Sequence, residues 1–491
     1  MRGGSLLGIA TEPEVSARRR VSAGHIAVAL LLLVPLLAFV VPAIAGHPIM
    51  PNDDADQNYP LRVLAGRQLA AGHLPLLNPY IWSGAPLLGG WNAGAAYPFT
   101  ALFAILPPVG AWVANEVLTY WTAGLGLYAF LRSRGIRPVG AWLGATAFTV
   151  GGSFAIQVEH FGLVAGVSWI PLGLLALARL AEVTSRRRRV GWAALLGVFG
   201  AMCVLAGEPR AIDDAAVIIG AYALWLLIRG GRSRRDYLLA AVGGLALAVL
   251  LSAVQWLPGL YAVSESQRSE AAYDLFSSGS LHPAWLVLLT MPVLLGGSNS
   301  FRVPGLFAGY NMPELASYIG LLPLVGAVAL LGTLRRRRPI PEWLIWHVVA
   351  AVGLLFALGG HTPLGHLLYH LPLFGSQRLQ SRNVTITDLA LAILFAYWAE
   401  HWLARSTRTA AHRLRLLGLV PVAVAAVFTV IGLGWPGTLA RLLGVPRATL
   451  QVQQMQPLYF SFLGIAAITA AYLICGPLLR GRVRAGLLAG V

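Results

Sequence analysis

Long apolar runs separated by short clusters of arginine dominate the chain, and this alternation constrains the fold more than any other feature. A bilayer core about 30 Å thick is crossed by roughly 20 apolar helical residues. Twelve runs approach that length, at about 24–46, 110–131, 138–157, 161–181, 190–206, 211–228, 237–258, 315–334, 342–359, 385–404, 416–435 and 458–479. We therefore predict an all-α fold, a polytopic membrane helix bundle of about 12 transmembrane helices forming a single integral membrane domain over residues 1–491.

The composition excludes a soluble protein and a nucleic-acid binder. Only 11% of the residues are charged, whereas a soluble domain has about a quarter. The net charge of +17 would suit a nucleic-acid-binding protein. However, all 36 basic residues are arginine, and most of them lie between the apolar runs. The distribution of the positive charge along the chain therefore indicates membrane topology and not nucleic-acid binding.

The arginine clusters also predict the orientation, because cytoplasmic loops of membrane proteins are enriched in basic residues. The clusters fall at every second loop, which places 27 of the 36 arginines on one side. We predict a bacterial plasma membrane protein with both termini cytoplasmic, including a tail at 1–23. The clusters are Arg18–Arg20, Arg132 to Arg137, Arg186–Arg189, Arg229 to Arg235, Arg335–Arg338, Arg405 to Arg415 and Arg480 to Arg484.

Three outer loops are expected to carry the polar chemistry, at 47–109, 259–314 and 360–384. Within the second loop, Pro283–Leu295 is apolar but too short to span, so we predict a re-entrant or interfacial helix there. The two cysteines, Cys203 and Cys475, both fall inside predicted spans. A disulfide framework is therefore not predicted.

The first outer loop opens with the carboxylates of Asp53, Asp54 and Asp56, three of only 19 acids in the chain. Such a cluster is able to act as a general base, to bind a divalent metal, or to do both. The alternative interpretation is a solvated cap that keeps this end of the first helix outside the membrane.

The acids precede a stretch, 59–72, whose spacing predicts an amphipathic helix lying on the membrane surface. Its apolar residues alternate with Arg62, Arg67 and Gln68. The next segment, 74–86, is rich in proline, glycine and aromatic residues. It indicates either an aromatic belt at the membrane interface or a structured loop that covers a lipid-facing cavity.

Further polar groups lie at other predicted outer helix ends. Glu208 and Arg210 come just before the adjacent pair Asp213 and Asp214, and ionisable groups at membrane depth usually mark function or face a wet cavity. Residues 159 and 160 form a Glu-His pair on the same side. Because this Glu-His pair stands alone in the sequence, we interpret His160 as a hydrogen-bonded residue at the membrane interface and not as a metal ligand.

The third outer loop contains two arginines four residues apart, Arg378 and Arg382, which share one face if the segment is helical. Arginine offers bidentate donors to phosphate. Contact with lipid headgroups is an equally good explanation from the spacing alone. His361, His366 and His370 in this loop show no metal-ligand spacing.

The order of these loop motifs is similar to that of a known family. They are Gln57-x-x-Pro60, Gly72-x-Leu74-Pro75-x-x-Asn78-Pro79-Tyr80, Gly84-x-Pro86, Tyr97-Pro98, Trp169 to Leu172, Leu205 to Gly207, Gln255-x-x-Pro258, Ser266-x-Arg268, Tyr318 to Leu324, Leu358 to Leu364, and Arg378 with Arg382. Over roughly residues 50–400 the chain resembles the bacterial YfhO family of polytopic membrane proteins. That family looks like GT-C-type glycosyltransferases that use polyprenyl-phosphate-linked sugars. Leu77 stands where the family often has tryptophan, and Glu208-Pro209-Arg210 where it often has His-Pro-Gln.

The resemblance implies a membrane glycosyltransferase that transfers a sugar from a polyprenyl-phosphate-linked donor to a cell-envelope glycan, lipid or protein on the outer side. It implies Asp53 as the general base, with Asp56 second and Asp54 third, and displacement with inversion at the anomeric carbon. Arg378 and Arg382 would neutralise the leaving phosphate. The remaining candidate substrate-binding residues are Glu159, His160, Glu208, Arg210, Gln57 and Asn78.

The sequence assigns no metal ligands, and leaves a divalent cation, Mg²⁺ or Mn²⁺, open as a cofactor. Membrane lipid and the donor are the expected partners, and nucleic acid is not. Two alternative functions share most of the motifs: a transporter or flippase of lipid-linked sugars, and a non-catalytic membrane protein of envelope assembly. The transporter has no need of the acidic cluster, and the non-catalytic protein has no need of converging polar groups.

Overall fold

A computed structural model describes residues 23–230, 234–266, 272–292, 294–295, 312–334, 340–371, 374–403, 408–446, 452–476 and 486–488. Most of the predicted cytoplasmic tail, Arg268, Arg335–Arg338 and Arg480 to Arg484 lie outside these ranges. The described chain is almost entirely helical, which confirms the predicted fold class.

Nineteen α-helices follow one another in the described ranges. They are α1 (Ala23–Leu31), α2 (Leu37–Ile44), α3 (Tyr59–Ala70), α4 (Pro108–Ser133), α5 (Pro138–Val150), α6 (Gly152–Ile156), α7 (Phe161–Val167), α8 (Ile170–Glu182), α9 (Arg186–Leu205), α10 (Pro209–Arg229), α11 (Arg234–Ser264), α12 (Tyr273–Ser277), α13 (Leu321–Leu331), α14 (Trp343–Leu358), α15 (Pro363–Tyr369), α16 (Val384–Leu403), α17 (Arg408–Gly434), α18 (Pro436–Leu443) and α19 (Val452–Cys475).

Shorter elements connect the helices. A π-helical turn covers Asp54–Asn58, and one antiparallel pair joins β1 (Leu77–Asn78) to β2 (Ala85–Pro86). The 3₁₀ helices are Val34–Leu36, Pro98–Ala104, Gln157–Glu159, Pro283–Leu289, Met312–Leu315, Gly359–His361, Phe374–Ser376 and Gln380–Asn383. The seven-residue helix at 283 is too short to cross a bilayer, and its Trp285 is fully buried.

Each of the twelve predicted runs contains helical structure, but they differ in how apolar they are. Among the described residues, eight helices are long and apolar enough to cross a membrane, and a bent pair over Pro138–Glu159 makes a ninth. The helices α4 and α16 have 26 and 20 residues, which is long enough to span, but they include more polar positions. The full count of twelve spans stays a prediction.

Helix α16 forms the centre of the bundle, with 17 of its 20 residues buried. It packs against α5, α13 and α14, and glycines allow the close approach. A Cβ on Gly144 of α5 would lie 2.8 Å from the carbonyl oxygen of Ala392, and one on Gly353 of α14 would lie 2.6 Å from Thr387 Oγ1. Small residues at such contacts are typical of packed membrane helices.

A bend of 45° between α5 and α6 carries the chain into the predicted outer loops. Gly152 lies at the bend with a φ of +65°, in the region that favours glycine. The backbone N–H of Ser153 donates to Asp388 Oδ2 of α16 at 2.6 Å. A carboxylate on the central helix therefore holds the bend and fixes the position of the residues that follow it.

Ion pairs join the helix ends on the arginine-rich side. Arg134 donates to Glu342 from Nε at 2.9 Å and from Nη2 at 2.6 Å, and Tyr222 donates to the same carboxylate at 3.0 Å. All four predicted cytoplasmic acids in the described ranges are paired with arginine: Glu182, Asp236, Glu342 and Glu400. The other ends of the same helices meet at the opposite side, where the polar groups of the predicted outer loops gather.

The prediction that α3 lies on the membrane surface with a solvated polar face is wrong at Arg62, which is completely buried. Arg62 donates to Thr100 Oγ1 at 2.7 Å and to the carbonyl oxygen of Ala206 at 3.2 Å. Its guanidinium also lies 4.8 Å from the ring centroid of Phe161. Arg62 therefore attaches α3 to the helix bundle.

Candidate active site

The three predicted carboxylates point in different directions. Asp53 and Asp56 are exposed, whereas Asp54 is completely buried and accepts a hydrogen bond from Asn58 Nδ2 at 2.8 Å. Burial raises the pKa of Asp54 to about 7, against the opposing effect of the Asn58 hydrogen bond. Asp54 has no exposed surface that a substrate could reach. The structure therefore contradicts its prediction as a possible general base.

Asp53 lies beside a histidine from a different part of the chain. Its Oδ2 is 3.6 Å from His160 Nε2, at the start of α7. The same imidazole nitrogen is 2.8 Å from Arg382 Nη2. Two short contacts therefore connect Asp53 to Arg382, well inside the separation of about 15 Å that one sugar-phosphate can bridge by hydrogen bonds at both ends. The structure thus brings together the first and third of the predicted outer loops.

Arg382 is held by a carboxylate that the sequence reasoning missed. Its Nε donates to Glu314 Oε2 at 2.8 Å, and its Nη2 donates to Oε1 at 2.5 Å. Glu314 also accepts from Gln157 Nε2 at 3.3 Å. An isolated acid between Pro313 and Leu315, just before an apolar run, was the one signal in the sequence that could have drawn attention to it.

Charge and burial together determine the protonation states of Glu314 and His160. Burial raises the pKa of Glu314, but the neighbouring Arg382 outweighs burial and holds the pKa at about 2. Burial and the nearby Arg382 lower the pKa of His160 to about 3. The imidazole is therefore neutral at pH 7. Because Nε2 accepts from Arg382, its proton lies on Nδ1.

Burial also raises the pKa of Asp53, while Arg382 acts in the opposite direction. The carboxylate is nevertheless exposed on 58% of its side-chain surface and is open to a substrate. A carboxylate whose pKa is raised toward neutrality is a better proton acceptor for catalysis than an ordinary surface aspartate.

Glu159 is buried and accepts a hydrogen bond from Asn52 Nδ2 at 2.5 Å. Asn52 has a φ of +41° and lies immediately before Asp53, so this bond fixes the turn that presents the general-base candidate. Glu159 therefore acts on the site through the backbone of the first outer loop, and the sequence reasoning missed Asn52 as its partner.

Arg210 organises the backbone that carries the arginine pair. It is buried, and donates from Nη2 to the carbonyl oxygen of Arg378 at 2.7 Å and from Nη1 to Asn383 Oδ1 at 3.3 Å. Glu208 caps the start of α10, accepting from the backbone N–H of Arg210 at 3.4 Å. The structure therefore places Arg210 behind the substrate side of the site, which corrects its prediction as a direct substrate ligand.

The two arginines of the third loop occupy different surroundings. Leu379, between them in the chain, has a φ of +61°, and this turn separates the exposed Arg378 from the half-buried Arg382. Arg378 is still close enough to Asp53 and His160 for its charge to act on both, in the direction that lowers the pKa, although the net pKa of Asp53 is raised. The segment is a 3₁₀ turn over Gln380–Asn383, so the predicted helical face is not formed.

Of the two remaining candidate residues, Asn78 serves the loop, whereas Gln57 stays a prediction. Asn78 is buried in β1, and its Oδ1 accepts from the backbone N–H of Tyr80 at 3.0 Å, a turn-forming contact. Gln57 is exposed on the π-helical turn. By contrast, Glu159, His160 and Arg382 lie together around Asp53, with Arg210 and Glu208 behind them.

One three-residue group in the described chain has suitable types and spacing for a metal ion. Ligand atoms of Glu159, His160 and Glu314 lie within 4.8 Å of one another. However, the guanidinium of Arg382 already bonds to both oxygens of Glu314 and to His160 Nε2. The lone pairs that a divalent cation would need are directed at an arginine, so this group does not fit a metal.

An apolar groove of about 530 Å³ opens beside the charged cluster. It lies along the bend between α5 and α6, and its lining residues are Ala147, Val150, Gly151, Gly152, Ala155, Ile156, Pro292, Ala316, Tyr318, Ile319 and Gly320. Ile156 and Ala316 are next to Gln157 and two residues from Glu314 in the chain. Two of the lining residues of the groove are therefore close in the chain to residues of the site.

The helix arrangement and the polar cluster at one end of it define an all-helical, multi-pass membrane protein with a GT-C-like fold. It is similar to the crystal structure of ArnT from Cupriavidus metallidurans bound to undecaprenyl phosphate, with a TM-score of 0.50 and 13% sequence identity. The match covers 94% of this chain and 73% of that chain. At this identity the likeness concerns the fold.

No protein-family model matches the chain, and no curated protein matches it. The YfhO resemblance of the loop motifs therefore stays a prediction.

Proposed function

We propose that the protein is a membrane glycosyltransferase that takes a sugar from a polyprenyl-phosphate donor and transfers it to a cell-envelope acceptor. The site lies at the helix ends opposite the arginine-rich side, so the reaction belongs to the outer face of a bacterial plasma membrane if both termini are cytoplasmic. The observation that carries the proposal is the set of contacts from Asp53 through His160 to Arg382, in a fold similar to that of a protein bound to undecaprenyl phosphate.

In the proposed reaction an acceptor hydroxyl attacks the anomeric carbon of the donor sugar. A bond forms between the acceptor oxygen and that carbon, and the bond from the carbon to the phosphate oxygen breaks. Asp53 takes the hydroxyl proton, and polyprenyl phosphate leaves with the bonding electrons. Direct attack of this kind inverts the configuration at the anomeric carbon.

The arginines stabilise the leaving phosphate. Arg378 is exposed beside Asp53 and contributes a charge that substrate can reach. Arg382 is fixed by Glu314, and its Nη1 takes part in none of the bonds to Glu314 and His160. Preorganised donors directed at a developing charge are the usual largest contribution to such catalysis.

The apolar groove provides a place for the first isoprene units of the donor. It lies along the α5–α6 bend, its lining includes Ala316, two residues after Glu314 in the chain, and its walls are mostly apolar. A lipid chain seated there would hold its phosphate at the level of Arg378 and Arg382. This arrangement favours a lipid-linked donor over a soluble nucleotide sugar.

The test is a transfer assay with purified full-length protein in nanodiscs and a radiolabelled polyprenyl-phosphate sugar, using a membrane glycan extract as acceptor. Asp53→Asn is expected to lower the rate at least 100-fold, because it removes the base. Asp56→Asn, an equally exposed neighbour, is the matched control and is expected to change the rate less than threefold.

Full activity of Asp53→Asn would reject Asp53 as the base, and loss of activity in Asp56→Asn alone would transfer the role to Asp56. Absence of sugar transfer by the wild type, together with movement of the intact donor across the bilayer, would identify the transporter instead.

A further inference from the structure

The cluster beside Asp53 contains the ligand types of a divalent metal site. It also contains the guanidinium of Arg382, which is always positively charged. Glu159, His160 and Glu314 present one ligand atom each within 4.8 Å of one another. Asp53 adds a third carboxylate, 3.6 Å from the imidazole. Three carboxylates and one imidazole would suit Mn²⁺ or Zn²⁺ in another setting.

Arg382 occupies the position where such an ion would bind. Its guanidinium bonds to both carboxylate oxygens of Glu314 and to the Nε2 lone pair of His160. Arginine does not lose its proton in proteins. A divalent ion bound to these atoms would therefore have to displace a charge that cannot be neutralised, or bind directly against it.

The backbone of Arg382 is also held in place, and the guanidinium itself is held by its two bonds to Glu314. Arg210 ties the turn at both ends, through the carbonyl oxygen of Arg378 and the side chain of Asn383. Asn383 in turn donates to the carbonyl oxygen of Gln380 at 2.9 Å. The turn Gln380–Asn383 is thus held from inside, and Arg382 projects from it onto Glu314 and His160, two of the three ligand residues.

We propose that Arg382 is the built-in cation of this site, that it takes the place of a divalent metal, and that the protein neither binds nor needs one there. The catalytic meaning rests on the proposed glycosyltransferase function, in which Arg382 supplies the fixed positive charge next to the phosphate. The claim about metal binding stands on the geometry alone.

The experiment measures metal binding directly. Purified full-length protein in nanodiscs of uncharged phosphatidylcholine is dialysed against Mn²⁺, and bound Mn²⁺ is measured by electron paramagnetic resonance against empty nanodiscs. The wild type is expected to bind no Mn²⁺ above that background. Arg382→Ala is expected to bind one ion per chain, because the atoms of Glu314 and His160 that Arg382 occupies then become available beside Glu159.

Two variants serve as controls. Arg382→Lys retains a positive charge and is expected to bind no ion. Arg382→Ala combined with Glu314→Gln removes a ligand and is expected to lose the gained ion. Melting curves show which variants are folded. Mn²⁺ is expected to raise the melting temperature of Arg382→Ala and leave the wild type unchanged.

A wild type that binds one Mn²⁺, with the ion lost in Glu314→Gln, would overturn the proposal. So would a folded Arg382→Ala that gains no ion. If Arg382→Ala does not fold, the wild type and Arg382→Lys still decide, since both must lack the ion. In the transfer assay, EDTA is expected to leave the wild-type rate unchanged. Failure of transfer itself would reject the glycosyltransferase and not the metal-binding result.

Discussion

Adjacent carboxylates in the first outer loop have opposite environments, and the difference shows in their protonation. Asp53 faces the cluster with His160, whereas Asp54 is buried against Asn58. Because burial raises the pKa of Asp54 to about 7, the folded protein keeps this carboxyl protonated through acidic pH, where the unfolded chain has already ionised it. Ionised Asp54 therefore costs stability at neutral and higher pH.

The substitution Asp54→Asn is expected to stabilise the protein at high pH. The cost of Asp54 is absent below about pH 4, grows as pH rises toward 7, and is constant above that value, where it is on the order of 4 kcal/mol. An asparagine can still accept the hydrogen bond from Asn58. Chemical unfolding of both proteins between pH 4 and 8 measures the effect, and a stability difference that does not grow with pH would contradict it.

The sequence predicted the types of residues in the site better than their partners. Asp53, His160 and Arg382 were all identified, because charges are rare among apolar runs. Glu314 was not singled out, since no local pattern tells a buried acid from a solvated one. Arg62 shows the reverse error: helical spacing placed it on a solvated face, yet long-range contacts with Thr100 and Ala206 bury it.

At the level of elements, the bend between α5 and α6 is held by the central helix α16 and sets the position of the site residues that follow it. Gly152 combines a positive φ with close contact, because a Cβ there would lie 2.1 Å from Asp388 Oδ2. The 3₁₀ turn that follows carries Glu159, and His160 comes directly after it. Apolar periodicity predicted a helix over this run, but could not predict a bend held by a contact with a helix more than 200 residues later.

Gly152→Ala is expected to destabilise the protein by about 2–4 kcal/mol, through backbone strain and collision with Asp388. Gly243→Ala is the matched control: it lies in α11 with nothing within 4 Å of an added Cβ and is expected to be neutral or slightly stabilising. Thermal unfolding of both variants in the same nanodiscs compares them. Equal melting temperatures would mean that the bend tolerates a side chain.

The hairpin between β1 and β2 presents aromatic side chains at its tip, on the side that the sequence predicts to be outside. Trp82 is 90% exposed and Tyr80 is 81% exposed. The following loop is tied to α11, because Gln255 donates to the carbonyl oxygen of Leu88 at 2.7 Å. Nearby on α11, Tyr261 is 70% exposed. Aromatic side chains of this kind favour the headgroup level of a membrane.

A fluorescent label at the tip is expected to report a lipid environment. In a Cys475→Ala background, Trp82→Cys labelled with NBD should emit at shorter wavelength than Gln57→Cys labelled in the same way, because residue 57 lies on the exposed π-helical turn. Nitroxide lipids should quench the label at 82 more strongly. Identical spectra and quenching at the two positions would contradict membrane contact of the hairpin.

For the whole molecule, charges sort by helix end. The arginine-rich ends are joined by ion pairs such as Arg134–Glu342 and Arg137–Glu400, while Asp53, Glu314 and Arg382 gather at the other ends. Counting arginines along the sequence predicted this division, because it depends on loop composition alone. The number of spans was harder to establish: the sequence predicted spans at 110–131 and 385–404, but the corresponding helices α4 and α16 are not among the helices that are apolar enough in the described residues.

Opposite labelling of the two ends in intact cells is expected from this division. With Cys475 replaced by alanine, a membrane-impermeant maleimide should modify Gln57→Cys from outside, while Thr184→Cys, exposed next to the Arg186 cluster, should react only after the membrane is opened. Labelling of Thr184→Cys in intact cells would reverse the orientation and place the site in the cytoplasm.

The burial of α16 has a consequence for the way the protein is made. Helix α16 carries a buried carboxyl, Asp388, and ionisable groups inside membrane segments are unfavourable in lipid and normally face the protein interior. Its neighbours in the bundle, α5, α13 and α14, all precede it in the chain. During synthesis, the three helices that contact α16 most extensively have therefore been produced before the helix itself emerges, and α19, whose Tyr472 accepts from Trp402 Nε1 at 2.9 Å, is added afterwards.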